Sequence, residues 1–103
     1  MPILKPGLRL KSAVCSTEIM VIRAPAEEAR LSCGGVEMIA ATESPTPALR
    51  LDPALARGSL IGKRYVDATE QYELLCTKGG EGSLSLNGRA LRVKQAKALP
   101  SSD

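Results

Sequence analysis

The chain has 103 residues, 14 Lys and Arg against 11 Asp and Glu, no histidine, and 44% hydrophobic residues. That length suits one domain, and a net charge of +3 with the two signs interspersed is too weak to point to a nucleic-acid partner. No apolar stretch approaches the ~18 residues of a membrane span, and three cysteines without a hydrophobic signal core lead to the expectation of a reducing, cytoplasmic location.

Trp and Phe are absent and only Tyr65 and Tyr72 are aromatic, so the core must be built from Leu, Ile, Val, Ala and Met. Small domains bury a modest fraction of their surface. A core this thin predicts a homodimer.

Residues 8–14 alternate apolar and polar side chains, the pattern of a half-buried strand. Residues 18–24 are a nearly continuous, β-branched apolar run and predict a strand buried on both faces, ended by Pro25. Cys15-Ser16-Thr17 is the turn between them. A short strand is expected over 29–33, a turn at Gly34-Gly35 and a return strand over 36–40. Residues 42–47, with Pro45 and Pro47, read as an irregular connection.

Within 52–58, Asp52 is a helix cap, Pro53 suits the first helical position and Gly58 suits a left-handed stop, so one short helical turn is predicted. Strands follow over 60–66 and 71–77. Gly79-Gly80-Glu81-Gly82 reads as a flexible turn. In residues 83–95, Asn87-Gly88 lies between alternating segments and predicts a two-residue type I′ hairpin. Its register pairs Leu86 with Arg89, Ser85 with Ala90, Leu84 with Leu91 and Ser83 with Arg92. Leu84 and Leu91 then share one face, in agreement with the hydrophobic pattern. From Pro100 the chain is expected to fray.

These elements predict a single all-β domain, a small sandwich or barrel of about eight short strands with one helical turn. Residues 1–41 would hold the first hairpins, 42–58 the connection and 59–97 a C-terminal β-meander.

The cysteines carry the only constellation with chemistry. The segments Lys11-Ser12-Ala13-Val14-Cys15 and Leu31-Ser32-Cys33-Gly34-Gly35-Val36-Glu37-Met38 resemble desulforedoxin and the N-terminal domain of desulfoferrodoxin. Those small β modules hold iron in thiolates from Cys-x-x-Cys on one hairpin and Cys-Cys-Gly-x-x-Met on the next. Cys15 falls on the second cysteine of the first pair and Cys33 on the first of the second pair, with Gly35 and Met38 matching the following glycine and methionine. The resemblance covers 11–38 only. Ser12 and Gly34 stand where the other two ligands belong, so a four-thiolate iron site cannot form from these residues in one protomer. What the resemblance implies is that the Cys15 and Cys33 turns face each other, with Ser12 and Gly34 beside them.

A zinc or iron site would therefore need Cys15, Cys33 and Cys76, with a further ligand from water, Asp67, Glu37 or a second protomer. Against this stands the reading that each cysteine is a small buried hydrophobe and no cofactor is bound. Cys76 also precedes Thr77-Lys78-Gly79-Gly80, whose cation and N–H groups would lower a thiol pKa. Leu74-Leu75 before it and the missing histidine base weigh against a nucleophile there, and no catalytic residue is assigned.

The remaining features are structural. Arg89, Arg92, Lys94 and Lys97 suit a solvated strand face, since the aromatic stacking surface of an RNA-recognition domain is missing. Gly79–Gly82 lacks the Gly-Lys-Ser/Thr ending of a phosphate loop. Two functional classes remain: a non-enzymatic interaction or accessory module that docks on a larger protein, without nucleic acid or membrane as partner, and a degenerate metal-binding or redox module built on Cys15, Cys33 and possibly Cys76.

Overall fold

The structure is a computed structural model that describes residues 3–45 and 49–94. Pro47, Lys97, the end of the 83–95 segment and the tail from Pro100 lie outside the described residues.

The domain is all-β. Among the described residues, ten short strands form two antiparallel sheets, joined by one 3-10 turn at Pro53–Leu55. The strands are β1 (Arg9–Lys11), β2 (Glu18–Arg23), β3 (Leu31–Cys33), β4 (Val36–Glu37), β5 (Ile39–Ala40), β6 (Arg64–Val66), β7 (Glu73–Lys78), β8 (Leu84–Leu86), β9 (Arg89–Ala90) and β10 (Arg92–Val93). The larger sheet runs β10-β6-β7-β2-β1-β5 and the smaller β4-β3-β8-β9.

The apolar run of β2 places it at the centre of the larger sheet. Ile19 lies opposite Cys76 and Val21 opposite Leu74 on β7, and all four side chains are buried. In the smaller sheet Leu31 pairs with Leu86 and Cys33 with Leu84. These inward residues join Leu4, Leu10, Tyr65 and Tyr72 in one core cluster. Each fully buried Ile, Val or Leu contributes about 1.5–3 kcal/mol by leaving water.

Several local expectations are met. Asp52 caps the 3-10 turn, its Oδ1 accepting from the Ala54 N–H at 2.9 Å, with Pro53 as first residue. Asn87 and Gly88 have φ of 51° and 82°, as a type I′ turn requires, and Leu86–Arg89 and Ser85–Ala90 pair as predicted. The Leu91 N–H continues the ladder to the Leu84 carbonyl at 3.0 Å.

The differences come where one extended stretch serves both sheets. The expected return strand over 36–40 is two strands: Val36–Glu37 pairs with β3, whereas Ile39–Ala40 crosses to β1. Met38 is the buried hinge between them. Likewise Arg92 does not face Ser83. It pairs with Val66 in the larger sheet, and Val93 with Tyr65. The strands of the C-terminal segment are thus shared between both sheets instead of forming one meander. Residues 60–63 are a turn with Gly62 at φ 82°, not the start of a strand. The turn exposes Leu60 and Ile61, at 60% and 68%.

The edge strand β10 is anchored by charge. Glu73 is only 3% exposed, because Arg64 Nη1 at 3.1 Å and Lys94 Nζ at 3.0 Å both cover its carboxylate. Arg92 pairs with Glu70 at 3.2 Å. Arg92 and Lys94 of this segment are therefore held in ion pairs.

Candidate functional site

The site begins with a serine-closed loop. Between β1 and β2 the Ser12 Oγ accepts the backbone N–H groups of Val14 at 3.1 Å and Cys15 at 3.0 Å. Ser12 N–H donates to the Thr17 carbonyl at 2.8 Å and closes the loop. Serine hydroxyls stabilise turns in this way by offering the backbone a local acceptor. The result sets Cys15 against Thr17, with Sγ 3.2 Å from the Thr17 Oγ1.

The second sulfur arrives on β3. Cys33 ends that strand just before Gly34 and Gly35, whose φ values of 65° and 87° make the tight return to β4. Cys33 points inward and is 0% exposed, whereas Cys15 is partly exposed. The two Sγ atoms are 3.8 Å apart, in contact, and both cysteines are free. Ser12 is buried beside Cys15, and the Gly34 N–H donates to the Ser83 carbonyl at 3.0 Å.

A third segment covers the pair. Ser59 and Gly80 exchange two backbone hydrogen bonds of 2.9 and 3.1 Å, and the Ser59 Oγ donates to the Gly82 carbonyl at 2.6 Å. These hold Gly82 so that its N–H donates to Cys15 Sγ at 3.4 Å. A Cβ on Gly82 would lie 2.7 Å from Cys33 Sγ and 3.2 Å from Cys15 Sγ, and one on Gly80 would overlap the Thr17 hydroxyl. The run 79–82 is therefore a fixed strap, and its glycines allow close approach, where the sequence suggested a flexible turn. A β-bulge between Glu18 and Ile19, against Lys78 and Cys76, lies next to the same corner. Bulges re-aim side chains beside such sites.

The two thiols are driven apart in acidity. Burial pushes the Cys15 thiol up, but hydrogen bonds from the Ser12 and Thr17 side chains and from the Thr17 and Gly82 backbone outweigh it, bringing Cys15 down to about 7. Burial and then the neighbouring Cys15 charge push Cys33 up to about 11. Near neutral pH Cys15 is therefore partly ionised, while Cys33 keeps its proton.

Cys76 stands differently. It is buried, and its Sγ donates to the Lys78 carbonyl at 3.2 Å. Burial raises its pKa and outweighs the lowering by a hydrogen bond from the Lys78 backbone. The expectation that Lys78 and the glycine N–H groups would activate Cys76 is reversed: activation falls on Cys15. Among the described residues no group of three or more cysteine, aspartate or glutamate side chains is gathered as a metal ion would need. The structure thus brings Cys15 and Cys33 together, and Cys76 is engaged with its own strand end.

Ser12 and Cys33 were legible as neighbours of Cys15 from the resemblance. Thr17 and Gly82 were not. Thr17 was visible only as a turn residue, and Gly82 only as one glycine in a run. No protein-family model matches the chain, and no curated protein or solved structure matches it significantly. Among the described residues no helix is long and apolar enough to cross a membrane.

Proposed function

We propose that the protein is a thiol redox module in which Cys15 and Cys33 close and reopen a disulfide. The observation that carries the reading is the 3.8 Å contact between the sulfurs. A disulfide needs about 2.05 Å between them, and the two sulfurs are already in contact. Oxidation of the pair gives up two electrons and the protons its thiols still carry. The difference in acidity adds support, because disulfide exchange starts from a thiolate. The test is oxidation with diamide, then alkylation of the remaining thiols and peptide mapping. A Cys15–Cys33 link with Cys76 still free supports the reading, and a protein that keeps all three thiols under excess oxidant refutes it.

Leu60 and Ile61 favour a second reading, a protein-interaction module that dimerises or docks on a larger partner. Two adjacent apolar side chains at 60% and 68% exposure on one turn form a hydrophobic tip. Light scattering at tens of micromolar, with Ile61→Ser as comparison, tests it. A dimer mass that falls with the substitution supports it, and a monomer for both proteins removes self-association.

A further inference from the structure

We infer that Cys15 is the sulfur that attacks a small, unhindered disulfide substrate, and that Cys33 is the resolving thiol that completes the exchange. The inference rests on the redox reading and names its substrate class and order of events.

The geometry distinguishes the two sulfurs. Cys33 Sγ has no path to solvent of its own, since Cys33 is 0% exposed and ends a strand in the core. Gly82 closes the space above both sulfurs so tightly that one added carbon would sit 2.7 Å from Cys33 and 3.2 Å from Cys15. An incoming sulfur is larger than that carbon, so it cannot approach over the pair. It must reach the exposed part of Cys15, whose chain neighbour Ser16 is also exposed. Cys15 is itself only partly exposed. That recess suits a low-molecular-weight disulfide and disfavours a disulfide embedded in a folded protein, whose flanking backbone would meet the strap.

The donors also converge on the Cys15 side. The Ser12 oxygen is already filled by two backbone N–H groups, so its own hydrogen is available to the sulfurs. The Gly82 N–H is aimed at Cys15 Sγ, and the buried Thr17 hydroxyl lies 3.2 Å from it. Donors held in place around a sulfur stabilise negative charge on it without reorganisation. They serve Cys15 before attack and again when the Cys15 sulfur becomes a leaving group in the reverse direction.

The exchange balances without a further reagent. The Cys15 thiolate attacks one sulfur of R–S–S–R, forms Cys15–S–S–R and releases R–S⁻. The Cys33 sulfur then attacks Cys15 Sγ, the mixed disulfide bond breaks, and R–SH leaves with the proton that Cys33 gave up. The protein dithiol is oxidised by two electrons and the substrate is reduced to two thiols. The 3.8 Å separation makes the second step a contact reaction.

The test uses bis(2-hydroxyethyl) disulfide with wild type, Cys33→Ser and Cys15→Ser, quenched with acid and mapped by mass spectrometry. Wild type should end as the Cys15–Cys33 disulfide with two small thiols released. Cys33→Ser should accumulate the mixed disulfide on Cys15. Cys15→Ser should react at least about tenfold more slowly, because a buried neutral thiol offers little thiolate. A Cys33→Ser protein that stays unmodified at Cys15, or a Cys15→Ser protein that takes the adduct on Cys33 at the wild-type rate, overturns the assignment. If Cys33→Ser does not fold, early quenching of wild type decides instead: the first adduct lies on Cys15 or the order is wrong. Failure here alongside a diamide-formed Cys15–Cys33 link refutes the substrate route alone. Failure of both reagents to link the pair refutes the redox reading itself.

Discussion

Replacing Gly82 by alanine isolates the packing of the strap on the sulfurs. The backbone at Gly82 is not in the positive-φ region, so alanine meets no conformational penalty. By itself, Gly→Ala at a compatible position stabilises by about 0.4–1 kcal/mol through the unfolded chain. The added methyl, however, would sit 2.7 Å from Cys33 Sγ, 3.0 Å from the Gly34 N and 3.2 Å from Cys15 Sγ. Neither neighbour on the far side yields easily. Cys33 is fully buried, and the Gly34 N–H is held by the Ser83 carbonyl at 3.0 Å. Overpacking of this kind costs about 1–3 kcal/mol. The net loss is then roughly 0–2.6 kcal/mol, a fall in Tm of up to about 20 °C for a domain of this size. Thermal unfolding followed by circular dichroism measures it. The decisive comparison adds Cys33→Ala, which removes the atom in closest contact. The double variant should be more stable than the sum of the two single losses by at least about 0.5 kcal/mol. A Gly82→Ala protein more stable than wild type, or strict additivity with Cys33→Ala, would refute the argument that the strap rests on the dithiol.

Gly88→Ala should behave in the opposite way: with nothing within 4 Å but φ at +82°, it should lose about 1 kcal/mol in urea unfolding, unaffected by any cysteine substitution. Thr17→Val removes a donor that favours the Cys15 thiolate, so the inflection in the pH profile of iodoacetamide alkylation at Cys15 should rise from about 7 toward the ordinary thiol value; an unmoved inflection would show that Thr17 plays no part. The Lys94 hydrogen bond holds the Glu73 carboxyl below its usual range, opposed by burial and aided by the charges of Lys94 and Arg64. Its contribution is therefore present above the unfolded carboxyl pKa of about 4.3 and lost as pH falls through the lower folded value. Glu73→Gln should be less stable than wild type by about 1 kcal/mol at neutral pH, with the gap closing in acid; a gap independent of pH would count against the ion pairs.

What could be read from the sequence divides along physical lines. Local chemistry was legible. The Asp52-Pro53 cap, the Asn87-Gly88 turn and the apolar run of β2 each dictate their own backbone, whatever surrounds them. The changes of sheet within 36–40 and 89–93 were not legible, because a chain that leaves one sheet and joins another keeps the same extended pattern throughout. Met38 and Leu91 mark the changes of sheet only once their partners are known. At the site, Cys15 and Cys33 lie 18 residues apart on adjacent turns, close enough for a pattern to place them together. Gly82 lies 67 residues from Cys15. Its role depends on a backbone approaching two sulfurs, and a glycine bears no side chain by which to announce that. Cys76 misled for the complementary reason: its sequence neighbours are cationic and flexible, but its strand turns it into the core.

The sharing of strands between the sheets also sets when the dithiol exists during the life of the chain. β2 finds its long partner in β7, and β3 finds its partner in β8, so neither sheet is complete until the last third has been synthesised. A nascent chain carries Cys15 and Cys33 uncovered until residues 73–86 have emerged, and loop closure over such separations is slow compared with local hairpins. The donor set that distinguishes the two sulfurs is assembled only when residues 79–82 settle over them. Early oxidation would thus meet two ordinary, equivalent thiols, while the finished protein presents one reactive sulfur and one hidden one. Difference in reactivity between the two cysteines is therefore a direct readout of completed folding, available from pulse-alkylation of a refolding sample without any knowledge of the cellular role.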